Sequence, residues 1–326
     1  MVDSLRLHNI NVTASAAPLQ TLFRERDSGG FPTEKSADSI LRMKRRTFVS
    51  GSPLAAASAA AIAPQLLQNL RAAPAKGTLK QSACRWCYGK IPMEDFAKAC
   101  AEAGLKSIDL AGKAEWPAIT KYGMVPTMVP GPTTIPDGLN RKENHPQIVE
   151  KMKTMIAEAK EVGAPHIIVF SGNRKGMADD EGLENCAIGL KQLLPMAEAT
   201  GVKIAMELLN SKVNHPDYMC DKTPWGVELA KEVNSPMFGL LYDIYHMQIM
   251  EGDVIRTIRD NHKYIFHYHT GGNPGRNEID ETQELNYPAI ARAILETGYS
   301  GYFAHEFIPK RDPITSLNEA VRLCDV

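Results

Sequence analysis

Four apolar runs in the second half of the chain each end in a side chain that can hold a metal or move a proton. They are Lys203-Ile-Ala-Met-Glu207, Leu240-Leu-Tyr-Asp243-Ile-Tyr-His246, Tyr264-Ile-Phe-His267-Tyr-His269 and Tyr302-Phe-Ala-His-Glu306. Glu207, Asp243, His269 and Glu306 supply three carboxylates and one imidazole, a hard-to-borderline set suited to Mn²⁺, Mg²⁺ or Co²⁺. Brought together without a cation, the carboxylates would repel by kilocalories per pair; metal binding removes that objection. His267 and His269 are two apart and share one face of their strand. His269, nearer the strand's C-terminal end, is the better ligand, and His267 stands behind it as support. His246 falls three residues past Asp243, at the start of the following loop, where it can hydrogen-bond a substrate oxygen. Arg276 follows Gly271-Gly-Asn-Pro-Gly275, in a tight loop where its fixed charge can clamp a carboxylate or hydroxyl. That loop does not match a phosphate-binding pattern. His305 alternates away from Glu306, toward a helix.

Side chains so far apart in sequence meet only if a regular scaffold delivers them to one place. The chain alternates as such a scaffold requires. Gln81 to Trp86 predicts a first strand and Pro92 to Gly104 a helix, with Pro early and Gly past its end. Ser107–Leu110, Met124–Val129 and His166–Phe170 predict further strands, and Gln147–Gly163 an amphipathic helix with Ile148, Met152, Met155 and Ile156 on its core face. Helices are expected over Ala114–Tyr122, Gly182–Thr200, Pro224–Asn234, Met250–Asn261, Tyr287–Thr297 and Ile314–Cys324. Eight strand–helix pairs in roughly 250 residues point to a single (β/α)8 TIM barrel over 76–326, with its site at the C-terminal ends of the strands. The Pro- and Gly-rich connection over 130–144 is long enough to fold over that site.

Composition agrees with one large core: 326 residues, 44% hydrophobic and 23% charged. A formal net charge of -1 gives no reason to expect nucleic acid or an anionic membrane as partner. A small molecule is the expected partner, with room for a homo-oligomer. Six cysteines in this length are not a disulfide framework, and Cys84-Arg-Trp-Cys87 sits at a strand, favouring buried thiols over a redox or zinc pair. Residues 1–42 have no sustained period and read as a disordered or untranslated extension. Over 43–75, Met43-Lys-Arg45-Arg46-Thr-Phe48-Val49, the Ala-rich run Leu54–Ala63 and Ala73-Pro-Ala75 resemble a twin-arginine export signal, with Met43 as the true start. The Ala-rich run is too short for a membrane span. Export to the periplasm is expected, a cytoplasmic enzyme being the alternative.

Five blocks stand out: Asp243-Ile-Tyr-His-Met-Gln-Ile-Met-Glu-Gly-Asp253, Asn273-Pro-Gly-Arg-Asn-Glu278, Leu285-Asn-Tyr-Pro288, Gly298-Tyr-Ser-Gly-Tyr302 and Trp86-Cys-Tyr-Gly89. Together they resemble the hydroxypyruvate isomerase family of xylose-isomerase-like barrels. The resemblance implies that Glu207 and Glu306 both bind a divalent ion and exchange the substrate proton, and that Asp243 and His269 complete the metal set. It implies that His246 and Arg276 contact substrate. Two departures bear on the substrate. Hydroxypyruvate isomerases often carry Gln where this chain has His269, whereas the related D-tagatose 3-epimerase group has His. Gly271-Gly272 also stands where an Ala-Asp pair is usual.

The expected reaction is a metal-dependent isomerisation of hydroxypyruvate to tartronate semialdehyde, or of a similar small keto-acid or ketose, through an enediolate. A bound ion stabilises the enediolate, one glutamate takes the proton and a carboxyl group returns it. No organic cofactor is required. The alternatives are a ketose 3-epimerase or exported sugar isomerase on the same scaffold, and a sugar-binding barrel without catalysis. The signal itself is testable: replacing Arg45 and Arg46 by Lys should hold the protein inside the cell, as read by fractionation. Export undiminished in that double variant, or a wild type found only in the cytoplasm, contradicts the signal.

Overall fold

The period of two in the apolar runs is realised as a ring of parallel strands. A computed structural model describes residues 79–326; the expected extension over 1–42 and signal over 43–75 lie outside the described residues. The strands are β1 (Lys80–Cys84), β2 (Ser107–Asp109), β3 (Val125–Pro126), β4 (Met128–Val129), β5 (His166–Val169), β6 (Lys203–Leu208), β7 (Phe238–Asp243), β8 (Ile265–Thr270) and β9 (Tyr302–His305). Their order is β3-β2-β1-β9-β8-β7-β6-β5-β4. The two end segments, β3 and β4, are halves of one barrel strand parted at Thr127. Its N–H donates to the Ile108 carbonyl at 3.3 Å, and its carbonyl accepts the His166 N–H at 3.2 Å. The ring therefore closes through Thr127 and is an eight-position (β/α)8 barrel.

Helices α1 (Met93–Glu102), α2 (Trp116–Lys121), α3 (His145–Val162), α4 (Asp179–Thr200) and α5 (Thr223–Val233) alternate with the strands, followed by α6 (Ile244–Met250), α7 (Val254–Asn261), α8 (Tyr287–Glu296) and α9 (Pro313–Cys324). Alternate strand residues such as Val169, Ile204, Met206 and Leu240 join the large core shared with the helices. The opposite face carries a separate small cluster of Met128, Ile168, Ala205 and Leu241. Two residues further along that same face stand Glu207, after Ala205, and Asp243, after Leu241. In α3, Ile148, Met152 and Ile156 are buried and Met155 is partly buried, so the methionines are core.

The structure departs from the expected elements in two places that matter to the site. The residues after Asp243, read as loop, form α6, because Asp243 is its N-cap and its Oδ1 accepts the His246 N–H at 3.2 Å. The helix expected over Met250–Asn261 is interrupted, since Gly252 (φ 68°) and Asp253 (φ 44°) are left-handed and separate α6 from α7. In addition, α4 begins three residues before Gly182, with Asp179, Asp180 and Glu181 in the first turn where the helix dipole favours acids. Among the described residues no helix is long and apolar enough to cross a membrane.

The connection over 130–144 is tied down against the end of β5: Leu139 N–H donates to Phe170 O at 3.2 Å and Asn140 N–H to Ser171 O at 2.8 Å. Gly138 lets it approach. A Cβ there would lie 2.3 Å from Phe170 O and 2.4 Å from Gly172 N, both backbone atoms. Gly138→Ala should therefore destabilise the barrel by about 1–3 kcal/mol. An unchanged urea midpoint in that variant would contradict this packing.

Candidate active site

Strand register brings the expected ligands together at one end of the barrel. Asp243 pairs with His269, and His269 with Ala304, two residues before Glu306. One ligand atom each from Glu207, Asp243, His269 and Glu306 lies within 4.8 Å of the others, and all four residues are buried. His269 Nδ1 is 2.8 Å from Glu306 Oε2 and 3.3 Å from Glu207 Oε1. A single N–H cannot serve both, and Glu207 Oε1 is left buried without a hydrogen bond.

Arg276 reaches into the same cluster. Its Nη2 donates to Asp243 Oδ2 at 3.1 Å and to Glu306 Oε2 at 2.5 Å, while its guanidinium lies 5.2 Å from the Trp86 ring centre and 5.3 Å from that of Tyr245. The loop that carries it is held in place by hydrogen bonds of 2.7 Å from Arg276 N to Gly272 O and from Ile308 N to Arg276 O. The charge expected to meet substrate thus also neutralises two of the chain's own acids.

His246 is on α6 rather than in a loop, and it is fully buried. Its Nδ1 accepts the Asn210 backbone N–H at 3.1 Å, so Nδ1 carries no hydrogen. Burial, reinforced by Arg276, holds the imidazole well below its ordinary pKa. The neutral ring therefore bears its proton on Nε2, which has no hydrogen-bond partner and lies 3.6 Å from Asp243 Oδ2. That N–H is an unsatisfied donor buried beside the cluster.

Three neighbours of the cluster were given no role from the sequence. Trp86 donates its indole N–H to Glu306 Oε1 at 2.6 Å. Asp109, at the end of β2, bonds His267 Nε2 at 2.5 Å and His269 Nε2 at 3.3 Å. His215 places its ring 5.3 Å from that of His246. Asp109 was detectable, since it ends an apolar strand as the other acids do; Trp86 stood in a block that resembles the family but carried no sign of its role, and His215 had no comparable signal. His267 stands behind His269 as expected. His305 bonds Gln81 Oε1 at 2.8 Å, and Gln81 in turn bonds Val321 O of α9. Cys84 and Cys87 are free thiols whose pKa burial raises, with Cys84 Sγ 3.7 Å from His269 Nε2.

The electrostatics fit a divalent cation. Within 4.8 Å, each pair of ionised carboxylates costs at least about 3 kcal/mol at an effective dielectric near 20. Burial, opposed by Arg276 and reinforced by Glu306 and Glu207, pushes the Asp243 carboxyl up to about 8. Burial also raises Glu207, with Glu306 adding to it. For Glu306 burial acts upward too, but Arg276, His269 and Trp86 outweigh it and hold that carboxyl well below its ordinary range. Oxygen donors, one imidazole and an unpartnered carboxylate oxygen are what Mn²⁺ or Mg²⁺ takes.

Asp243→Asn tests this balance without substrate. In the metal-free protein Asp243 titrates near 8 when folded and near the ordinary value of about 3.9 when unfolded. The folded state therefore holds an extra proton in that interval, and the wild type should lose stability relative to Asp243→Asn as pH rises through it. Urea unfolding at about pH 5 and about pH 8 reads the difference. A gap that fails to move toward the variant at the higher pH contradicts the assignment. Saturating Mn²⁺ should favour the wild type, because the ion selects the ionised carboxylate.

The chain as a whole is similar to known proteins. A family model described as "Xylose isomerase-like TIM barrel" matches residues 74–325. A putative hydroxypyruvate isomerase from Homo sapiens is 27% identical over 72% of this chain and 80% of its own length. A 2-oxo-tetronate isomerase from Pectobacterium atrosepticum is also 27% identical, over 68% of this chain and 89% of its own length. Among solved structures, an AP endonuclease, family 2, from Brucella melitensis superposes with a TM-score of 0.68 over 73% of this chain and 97% of its own, at 21% identity, a likeness of fold. With a family model spanning the whole described barrel, the chain belongs to the xylose isomerase-like TIM barrel family.

Proposed function

We propose that this isomerase moves a carbonyl between adjacent carbons of a small hydroxylated keto-acid, hydroxypyruvate to tartronate semialdehyde being the model reaction. The reading is carried by the convergence of Glu207, Asp243, His269 and Glu306 within 4.8 Å, in a chain whose relatives are named for keto-acid isomerases. A divalent ion held by those four residues would act as a Lewis acid toward the negative charge that develops on the substrate's carbonyl and hydroxyl oxygens. The chain supplies the rest. Two glutamates at one site allow one carboxylate to remove the proton from carbon and a carboxyl group to return it. Arg276 and Trp86 fix Glu306 by bonds to both of its oxygens, so that it keeps one orientation through the exchange. His246 offers its Nε2–H to a substrate oxygen without adding a charge to the site.

One residue favours a second reading. His269 stands where hydroxypyruvate isomerases often have Gln and ketose 3-epimerases have His, and proton exchange at a ketose C3 needs the same pair of glutamates. A panel of hydroxypyruvate, four-carbon keto-acids and ketohexoses, assayed with added Mn²⁺ or Mg²⁺, decides between them. Turnover confined to keto-acids supports the isomerase, turnover of ketohexoses the epimerase, and binding without turnover defeats both.

Glu207→Gln and Glu306→Gln keep an oxygen donor and the shape of the side chain but remove the base. Each should lower turnover at least about 10²-fold, the scale of a general base, while still taking up metal. Solvent-deuterium incorporation then identifies the abstracting glutamate, since the variant lacking it should not wash label into bound substrate. Near-normal turnover in both variants would leave them as ligands only and end the proton-transfer mechanism.

A further inference from the structure

Beneath the four-residue cluster, on the same inward faces of the strands, lies a second polar group that the proposed reaction does not use. Asp109 is fully buried, and its carboxylate receives donors on both oxygens. Ser82 Oγ–H donates to Oδ1 at 2.5 Å and Ser107 Oγ is 3.4 Å from the same oxygen. His267 Nε2 is 2.5 Å and His269 Nε2 3.3 Å from Oδ2. So many donors around one carboxyl group mean an ionised acceptor, because a protonated acid would set one hydrogen against another.

We infer that Asp109 is a positioning residue that commits His269 to the metal through Nδ1, an inference that rests on the metal site proposed above. An imidazole has two nitrogens and only one can carry the hydrogen of the neutral ring. By accepting Nε2–H, Asp109 leaves the lone pair on Nδ1, the nitrogen that faces Glu306 Oε2 and Glu207 Oε1. The carboxylate also makes the imidazole a stronger donor to the ion and fixes the ring plane, as acceptors behind ligating histidines do. Ser82 and Ser107 hold Asp109 from β1 and β2, so the orientation of a ligand on β8 is set from across the barrel.

Asp109→Asn is nearly isosteric. Its amide oxygen can still accept from one histidine, and its amide hydrogens can meet the two serine hydroxyls, so the fold should survive. Apo-protein titrated with Mn²⁺ against a competing chelator should bind about 10- to 100-fold more weakly. The visible bands of the Co²⁺-loaded variant should shift, because the imidazole donor has changed, while the Michaelis constant at saturating metal stays near wild type. Ser82→Ala, which removes one support of the carboxylate, should weaken the ion in the same direction by less. Affinity and Co²⁺ bands equal to wild type in Asp109→Asn would overturn the inference. So would a lowered unfolding midpoint with unchanged metal affinity in both variants, which marks a structural role. A wild type that takes up no ion defeats the metal site itself, and this inference with it.

Discussion

The arrangement of this molecule depends on one electrostatic constraint: three carboxylates are buried within contact of one another. Such a group is tolerable only if positive charge is supplied in the same volume. The chain supplies part of it. Arg276 bridges Asp243 and Glu306, and His269 lies between Glu306 and Glu207. Burial raises the carboxyls of Asp243 and Glu207, and the neighbouring acids add to it, so part of the anionic charge is cancelled by protons. A divalent ion would cancel that charge without a proton, and so would change which groups are free to act as bases. The site is thus prepared by its own mismatch of charge.

That constraint explains why so much of the local structure is spent on holding side chains still. Asp243 is at once an N-cap, an acceptor for Arg276 and a member of the cluster. Its cap bond starts α6 at the residue after the strand, and α6 buries His246 against the backbone of Asn210. Arg276 lies against two aromatic rings while its Nη2 bonds Asp243 and Glu306, so its charge is directed at the acids. Each of these contacts lowers the freedom of a group that must be placed to within a fraction of an ångström for proton transfer.

How much of this was legible in the sequence follows from which contacts are periodic. Glu207, Asp243, His269 and Glu306 were readable because strand alternation is a rule of two, and an acid ending an apolar run must face the barrel mouth. The same rule applied to Ser107-Ile-Asp109 points to Asp109, but that run is short and lies far from the other four in sequence. The helix after Asp243 was hidden for a different reason. An aspartate that ends a strand and one that caps a helix look alike in sequence, and only the His246 N–H to Asp243 Oδ1 bond shows it doing both. The break at Thr127 had a sign in Pro126, which cannot donate to a strand ladder, but the apolar residues on either side kept the run reading as one strand. Trp86 reaches Glu306 across 220 positions, a pairing with no sequence period at all.

Overall similarity does not choose a substrate for this chain. Two relatives whose names carry different keto-acids are equally similar to it, at 27% identity. The loops that follow the strands carry exposed large apolar side chains. Trp86, after β1, is 45% exposed above Arg276, and Val213, after β6, is 64% exposed two residues before His215. Ile308, after β9, is 43% exposed and its N–H bonds the Arg276 carbonyl. Trp86 bonds Glu306 and Ile308 bonds Arg276, so these two stand beside the cluster while part of each remains open to solvent. A barrel that fixes its reactive groups at the strand ends leaves the loops above them free to vary, which is how one scaffold comes to carry different specificities.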